Sequence, residues 1–354
     1  MEAAPALPSI LQAFLDHEGR ASKLKIALCG SAIATMKRLE GPDQPLYARR
    51  TARLHLRPFA ARDVRAFFPG HPARDRARTY GVFGGLPGHL ALLDPDRDFE
   101  ANVAAHVLDP ASRLYDEAQH MLDAFLGEAQ VHYSILEAIA SGQATWGGIT
   151  KTVGKTSGSV SRPMDWLTEM EIVRRVVPIT ERDPSKTKRA VYRISDPYVT
   201  FWHRFVGPIV RRGGTWLAAP DDLYRTRIAP RLDDHMGPVF EEMCRESLSR
   251  LVGLPFSPYE VGEWWGRGST EQIDVVAFGE GDEVLVGEVK WGHVDRHDLG
   301  LLRRRSTALK KEIGPSARMH LALFSGRGIR DAETAHAVER GEVLHFPLEA
   351  VLGD

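Results

Sequence analysis

The stretch that most constrains this chain is residues 272–290, QIDVVAFGEGDEVLVGEVK. Its composition predicts two short apolar strands joined by a Gly-rich loop at 279–283. In a symmetric hairpin Asp274 lies directly opposite Glu288, with Cβ atoms about 4.5–5.5 Å apart. Lys290 follows Glu288 by two residues and therefore points to the same face of the sheet.

Two carboxylates at this spacing repel each other by about 4 kcal/mol at an effective dielectric constant of 20. A divalent cation with oxygen ligands would offset that repulsion, and Lys290 would add a positive charge beside it. Asp, followed by Glu-x-Lys on the next strand, is typical of metal-dependent phosphodiester cleavage. The alternative is a structural ion pair of Glu288 and Lys290 against Asp274. Spacing alone leaves both interpretations open.

The composition limits the class of protein. The chain has 354 residues, enough for two or three domains. Its formal net charge is −1, so any contact with DNA must come from local basic patches. Cys29 and Cys244 stand in apolar runs and predict buried thiols in a reducing compartment. Because no run of about 18 apolar residues and no signal-peptide pattern is present, we expect a cytoplasmic protein without a membrane partner.

The N-terminal part predicts alternating strands and helices. Residues 23–30, KLKIALCG, predict a buried parallel strand that ends at an exposed Ser31. Residues 46–56 predict a second strand, residues 58–68 an amphipathic helix, and the loop GGLPGHL at 84–90 leads into further helices.

These residues, in LKIALCGSAIATM, LYARRTARLHLRPF and YGVFGGLPGHL, resemble the archaeal and bacterial STAND-class ATPases. The resemblance implies a partial ATPase core with a helical lid over residues 1–126. No Walker A or Walker B motif precedes it, so we expect neither nucleotide-binding residues nor ATP as a cofactor. Gly154-Lys155-Thr156 looks like the end of a P-loop, but Ile149 stands where the required Gly would be. A separate ATPase half or a second copy of the chain is then a partner to consider.

Residues 127–210 predict a winged helix-turn-helix with an aromatic connector. Three helical patterns are followed by β-rich runs at 172–180 and 189–194 that flank a charged loop. Such a module would place Arg162 near the major groove of DNA and the loop's basic residues near phosphates. The basic residues of that loop are Arg182, Lys186 and Lys188. A structural spacer is the alternative, because Pro163 limits the third helix.

Residues 211–354 predict the element order helix–strand–strand–strand–helix–strand, which is that of a restriction-endonuclease-like α/β core. The motifs VFEEMCRE, EWWGR, EQIDVVA and VGEVKWG resemble the uncharacterised C-terminal domain fused to these ATPases, which is regarded as a PD-(D/E)XK nuclease-like fold. The resemblance implies catalytic roles for Asp274, Glu288, Lys290 and Glu241. It implies Mg²⁺ or Mn²⁺ as the cofactor, with Asp274, Glu288 and Glu241 as ligands.

Arg303 and Arg304, on the basic helix after the Glu-x-Lys strand, are further candidates for nucleic-acid binding, together with Arg305. A solvated helix face is the alternative. The sequence therefore predicts a multidomain α/β protein that binds or cleaves DNA with a divalent metal. Two other hypotheses stay open: a non-catalytic DNA-binding or regulatory scaffold, and a fragment of an ATP-binding STAND ATPase whose P-loop half is missing.

Overall fold

The computed structural model of the protein describes residues 5–30, 36, 39, 41–123, 130–210, 219–268 and 271–354. The helices are α1 Leu7–His17, α2 Ala73–Phe83, α3 Pro87–Leu90, α4 Phe99–Val103, α5 Glu117–Asp123, α6 Gln130–Ala140, α7 Trp146–Val153, α8 Ser157–Glu169, α9 Pro197–Phe201, α10 Gly207–Val210, α11 Pro220–Leu223, α12 Ala229–Ser247, α13 Arg296–Ile313, α14 Ala332–Glu339 and α15 Leu348–Leu352. The strands are β1 Val173–Val176, β2 Val191–Ile194, β3 Glu260–Trp265, β4 Gln272–Gly279, β5 Glu283–Lys290, β6 Arg318–Ser325 and β7 Leu344–Pro347.

The C-terminal part is a five-stranded mixed sheet in the order β3-β4-β5-β6-β7. The first three strands pair antiparallel, and β5, β6 and β7 run parallel. Helices α13 and α14 make the two crossovers between the parallel strands. The predicted order of helix, three strands, helix and strand is present, from α12 to β6. The chain is therefore a mixed α/β protein, as its sequence predicts.

The hairpin of β4 and β5 forms because its sequence suits a central position in a sheet. Both strands are buried over most of their length, which fits near-continuous apolar runs. Gly281 and Asp282 both adopt positive φ angles in the connecting turn, a conformation that Gly and Asp accept most readily. Val275 pairs with Gly287, and the same register continues to the pair Gly279 and Glu283. This is the symmetric register that the sequence predicts.

Helices cover both faces of this sheet. On one face, Phe240 of α12 belongs to the same core as Val275 and Leu285. On the other face, Leu302 of α13 packs with Val276 and Val286, among others. Cys244 of α12 is a buried free thiol, as predicted. Within the described residues, no helix combines the length and the apolar character that crossing a membrane requires.

Helices α6 to α8 and the antiparallel pair β1–β2 follow one another as predicted. Gly154 ends α7 in the left-handed conformation, and Thr156 caps the N-terminus of α8 by accepting from the Ser159 amide. Residues 154–156 thus connect two helices, and no strand feeds them as a P-loop requires.

The long loop between β1 and β2 packs on the edge of the five-stranded sheet. The amide of Ile179 donates to the carbonyl of Glu263 on β3 at 2.9 Å. The Thr180 hydroxyl donates to Glu312 Oε1 of α13 at 2.5 Å, and Arg189 donates to the carbonyl of Trp265. Part of the predicted wing therefore contacts β3 and α13 of the C-terminal part.

The prediction of two N-terminal strands, at residues 23–30 and 46–56, is wrong. Residues 23–30 and 49–56 are irregular, residues 41–48 form turns, and Leu54 keeps 82% of its surface exposed. Cys29, predicted to be buried, is exposed. A strand needs a neighbour to satisfy its backbone groups, and no described strand lies beside these segments.

Two other N-terminal predictions are affected. The helix predicted at 58–68 is reduced to a 3₁₀ segment at Ala61–Ala66. Ser31 lies outside the described residues, and both predicted domain boundaries fall at or next to such segments, 124–129 and 211–218.

The contact between the loops after β5 and β6 gives a test of the fold. Gly326 donates its amide to the carbonyl of Lys290 at 2.9 Å, and a Cβ at Gly326 would lie 2.1 Å from the carbonyl oxygen of Trp291. We expect Gly326→Ala to lower the free energy of unfolding by about 1–3 kcal/mol, because backbone must move. Urea denaturation measures this change in the free energy of unfolding. Gly292→Ala is the matched control, since a Cβ there has no neighbour within 4 Å. Equal stability of both variants would contradict the close approach.

Candidate functional site

Val275 of β4 pairs with Gly287 of β5. Asp274 directly precedes Val275, and Glu288 directly follows Gly287. Both are buried inside the protein, with 7% and 1% of their surfaces exposed. Asp274 Oδ2 accepts a hydrogen bond from the amide of Val289 at 2.9 Å. The neighbouring strands β4 and β5 therefore each bury a carboxylate, where carboxylates are costly, and Glu288 lies near enough to act on the charge of Asp274.

Each oxygen of Glu288 is bonded to a cation. Lys290 Nζ donates to Oε1 at 2.5 Å, and Arg305 Nη1 of α13 donates to Oε2 at 2.6 Å. Lys290 also lies 3.7 Å from Asp298, at the start of α13. Burial would lower the pKa of Lys290, but Glu288, Asp274 and Asp298 outweigh it and raise that pKa. Lys290 is thus held as a cation in the site.

The sequence groups Arg305 with Arg303 and Arg304 as a candidate for phosphate contact, but Arg305 bonds to Glu288 instead. The structure turns Arg305 inward while Arg303 and Arg304 are exposed. A signal existed in the sequence. Arg305 lies three residues after Leu302 and four before Leu309, and both leucines are buried on the face of α13 that packs on the sheet.

Asp274 has a different environment from Glu288. Burial raises its pKa first, and the nearby Glu241 and Glu288 carboxylates raise it further, to about 7. The amide of Val289 and the charge of Lys290 act in the opposite direction. Lys290 and Arg305 both bond to Glu288, so less positive charge is available to stabilise ionised Asp274.

Helix α12 supplies the third carboxylate. Burial raises the pKa of Glu241, against the lowering effect of Arg245, whose Nη1 lies 3.9 Å from Glu241 Oε2. The same Nη1 donates to the backbone carbonyl of Asp274 at 2.6 Å. Arg245 follows Glu241 by one helical turn, so one face of α12 provides both an acid and the group that fixes β4.

A chain of ion pairs joins this cluster to the β1–β2 hairpin. Arg174 of β1 lies 2.6 Å from Glu242, and Glu242 accepts from Arg245 Nη2 at 2.8 Å. Burial alone would raise the pKa of Glu242, but Arg245 and Arg174 lower it to about 2. Arg193 of β2 pairs with Glu263, of which only 3% is exposed. The hairpin is therefore tied by charge to α12, which carries Glu241, and to β3, which pairs with the strand of Asp274.

The donor atoms of Asp274, Glu288 and Glu241 suit a hard divalent cation such as Mg²⁺ or Mn²⁺. Both oxygens of Glu288, however, already bond to protein cations. Across the described ranges, no three His, Cys, Asp or Glu side chains are gathered as a ligand set. Asp274 and Glu288 thus fit a metal by the chemistry of their oxygens, but the structure does not gather Glu241 with them as a third ligand. Glu288 would also have to exchange a protein cation for the metal.

The other residues predicted to bind nucleic acid lie on the surface. Arg162 is exposed on α8, and so are three residues of the β1–β2 loop: Arg182, Lys186 and Lys188. Lys186 lies 3.1 Å from Asp183. Arg303 of α13 donates to Glu342 at 2.8 Å. These side chains are separate from the carboxylate cluster.

The known proteins that this chain resembles carry no described activity. Residues 202–300, which include the four predicted catalytic residues, match a family model described as archaea bacterial proteins of unknown function. An uncharacterized protein of Methanocaldococcus jannaschii is 28% identical over 352 residues, which are 98% of this chain and 76% of that protein. The crystal structure of protein VC1899 from Vibrio cholerae aligns at 11% sequence identity, and the alignment covers 98% of this chain and 78% of that chain. Its TM-score of 0.24 carries no argument about the fold.

The raised pKa of Asp274 makes stability depend on pH in a defined direction. Between pH of about 4 and 7 the folded protein keeps a proton on Asp274 that the unfolded chain releases, so the free energy of unfolding falls as pH rises. Asp274→Asn removes this loss. We expect the stability of Asp274→Asn relative to wild type to increase with pH across that window, by about 1 kcal/mol per unit, and then to level off.

Chemical denaturation at a series of pH values measures this difference. Asp183→Asn is the exposed control. Hydrogen bonds from Ser185 and Lys186 lower the pKa of Asp183, so any dependence there has the opposite sign. A difference between Asp274→Asn and wild type that does not change with pH would contradict the assignment.

Proposed function

We propose that this chain is a metal-dependent DNA-binding protein of the PD-(D/E)XK nuclease-like class, and that its site cleaves phosphodiester bonds. The observation that carries the proposal is the buried pair Asp274 and Glu288 on neighbouring strands, with Lys290 bonded to Glu288. Burying two carboxylates together lowers stability, so a chain that does so has a use for them.

The order of elements supports this assignment. A helix that carries an acid, three antiparallel strands, a crossover helix and a parallel strand follow one another in the order that we expect of a restriction-endonuclease-like core. The acidic residues lie on the second and third of those strands, and the acid of α12 is Glu241. Fold alone does not establish turnover, so the site has to be tested directly.

The residues of the chain have distinct roles in this proposal. A metal ion held by Asp274, Glu288 and Glu241 would polarise the phosphate and lower the pKa of a bound water. Lys290, whose pKa is raised by its carboxylate neighbours, stays protonated and offers a donor to the developing negative charge. Arg245 fixes the backbone of Asp274 from α12.

The α6–α8 unit with its β1–β2 hairpin is, in this proposal, a winged helix-turn-helix that contacts DNA. The support is the exposure of Arg162, Arg182, Lys186 and Lys188 in a chain whose net charge is only −1. The exposed Arg303 and Arg304 of α13 would add phosphate contacts nearer the cleavage site.

A non-catalytic DNA-binding scaffold is the second candidate. It is favoured by one observation, that Lys290 and Arg305 already bond to both oxygens of Glu288. If these cations stay in place, the nuclease-like fold serves only as a binding surface.

Cleavage of supercoiled plasmid in Mg²⁺ or Mn²⁺ separates the two candidates. We expect wild type to nick the plasmid, and Asp274→Ala and Lys290→Ala to be slower by about 100-fold or more, as for the loss of a group that stabilises the transition state. Glu280→Gln, exposed in the turn of the same hairpin, is the control and should retain the wild-type rate. Equal nicking by all four proteins would show a contaminant and refute catalysis by this site.

DNA binding is tested by changing Arg182, Lys186 and Lys188 together to Ala. We expect weaker binding to duplex DNA of any sequence, and a salt dependence whose logarithmic slope is smaller by about 2–3, because three phosphate contacts are lost. The charge-matched control changes the exposed Arg225, Arg250 and Arg340 to Ala. If both triple variants bind with the same affinity and slope, the hairpin loop is not a DNA contact.

A further inference from the structure

Arg305 has an unusual position for a residue beside a carboxylate proposed to bind a metal. Its Nη1 lies 2.6 Å from Glu288 Oε2, and Glu288 is 1% exposed. The guanidinium thus occupies Oε2 of Glu288, while Lys290 bonds to Oε1. A divalent ion that binds Oε2 has to compete with Arg305 for it.

Glu288 is neutralised without a metal, because Lys290 and Arg305 each bond to one of its oxygens. A divalent cation at Glu288 would lie beside both of these positive charges in a buried place, where the repulsion is poorly screened. Withdrawal of a protein cation therefore favours the entry of a metal.

Both cations have a second carboxylate in reach: Lys290 lies 3.7 Å from the buried Asp298, and Arg305 has a second partner nearer to solvent. Its Nε lies 3.6 Å from Glu271 Oε2, just before β4, and Glu271 has 41% of its side chain exposed. The same Nε is buried without a hydrogen-bond partner. Arg305 thus lies between a buried carboxylate and a solvent-facing one, and a fork-to-fork pair with Glu271 would satisfy Nε.

We propose that Arg305 is an exchangeable counter-cation, which holds Glu288 when no metal is present and moves to Glu271 when a divalent cation enters. This inference rests on the proposed function, since it assumes that Asp274 and Glu288 bind the metal. Lys290 stays with Glu288 in both states, because it projects from the same strand two residues away. The exchange keeps the buried Glu288 paired at every stage.

Titration with Mn²⁺, followed by calorimetry or by the loss of the free-ion electron paramagnetic resonance signal, tests the proposal without any cleavage assay. We expect Arg305→Gln to bind Mn²⁺ about 10- to 100-fold more tightly than wild type, because the metal no longer competes with a charged hydrogen bond. Glu271→Gln should bind more weakly than wild type, because Arg305 loses its second partner. Arg340→Gln, which removes the same charge from an exposed pair with Glu342, should bind as wild type does.

The outcomes separate this inference from the proposed function. If wild type and Arg305→Gln bind Mn²⁺ equally, or Arg305→Gln binds more weakly, Arg305 is not a competitor and the inference is overturned while the metal site stands. If neither protein binds Mn²⁺ and both give native circular dichroism and cooperative unfolding, the metal site and the inference both fall. Loss of binding in Glu288→Gln identifies the site that is being titrated.

Discussion

The burial of the Glu288 carboxylate is the constraint on which the C-terminal part of this protein depends. An unpaired carboxylate in the interior would cost several kcal/mol, so two cations must reach it from different elements. Lys290 comes from the same strand, and Arg305 comes from the helix that packs across it. Glu288 therefore couples β5 to the rotation of α13 about its axis. Apolar packing of Leu302 and Leu309 reinforces the same rotation.

The sequence predicts this region well because its signals are local. Two apolar runs, a Gly-Asp turn and a fixed spacing of Asp274, Glu288 and Lys290 are enough to define the hairpin and its register. The position of Arg305 depends on the helical period of α13, which places it on the same face as Leu302 and Leu309. Arg303, Arg304 and Arg305 are consecutive and chemically identical, and only the direction of the α13 face distinguishes them. Whether the cluster binds a metal stays a prediction, as do the ATPase and nuclease resemblances.

The prediction failed at the N-terminus for a physical reason. An apolar run such as residues 23–30 has the composition of a strand, but composition does not provide the neighbour that a strand needs. The same limit did not affect β4 and β5, since each supplies the other's partner across a short turn. Local sequence therefore predicts hairpins better than isolated parallel strands, whose partners lie far away in the chain.

The loop between β1 and β2 also covers part of the edge of the five-stranded sheet. Strand β3 is at the edge of the five-stranded sheet, and such an edge offers unpaired backbone groups to any extended chain. The amide of Ile179 uses the carbonyl of Glu263, and Arg189 uses that of Trp265. The segment that carries the exposed basic residues thus also occupies two carbonyl groups of this edge, where another chain could otherwise pair. The same loop would then both cover the sheet edge and contact nucleic acid, so a substitution in it could affect both roles.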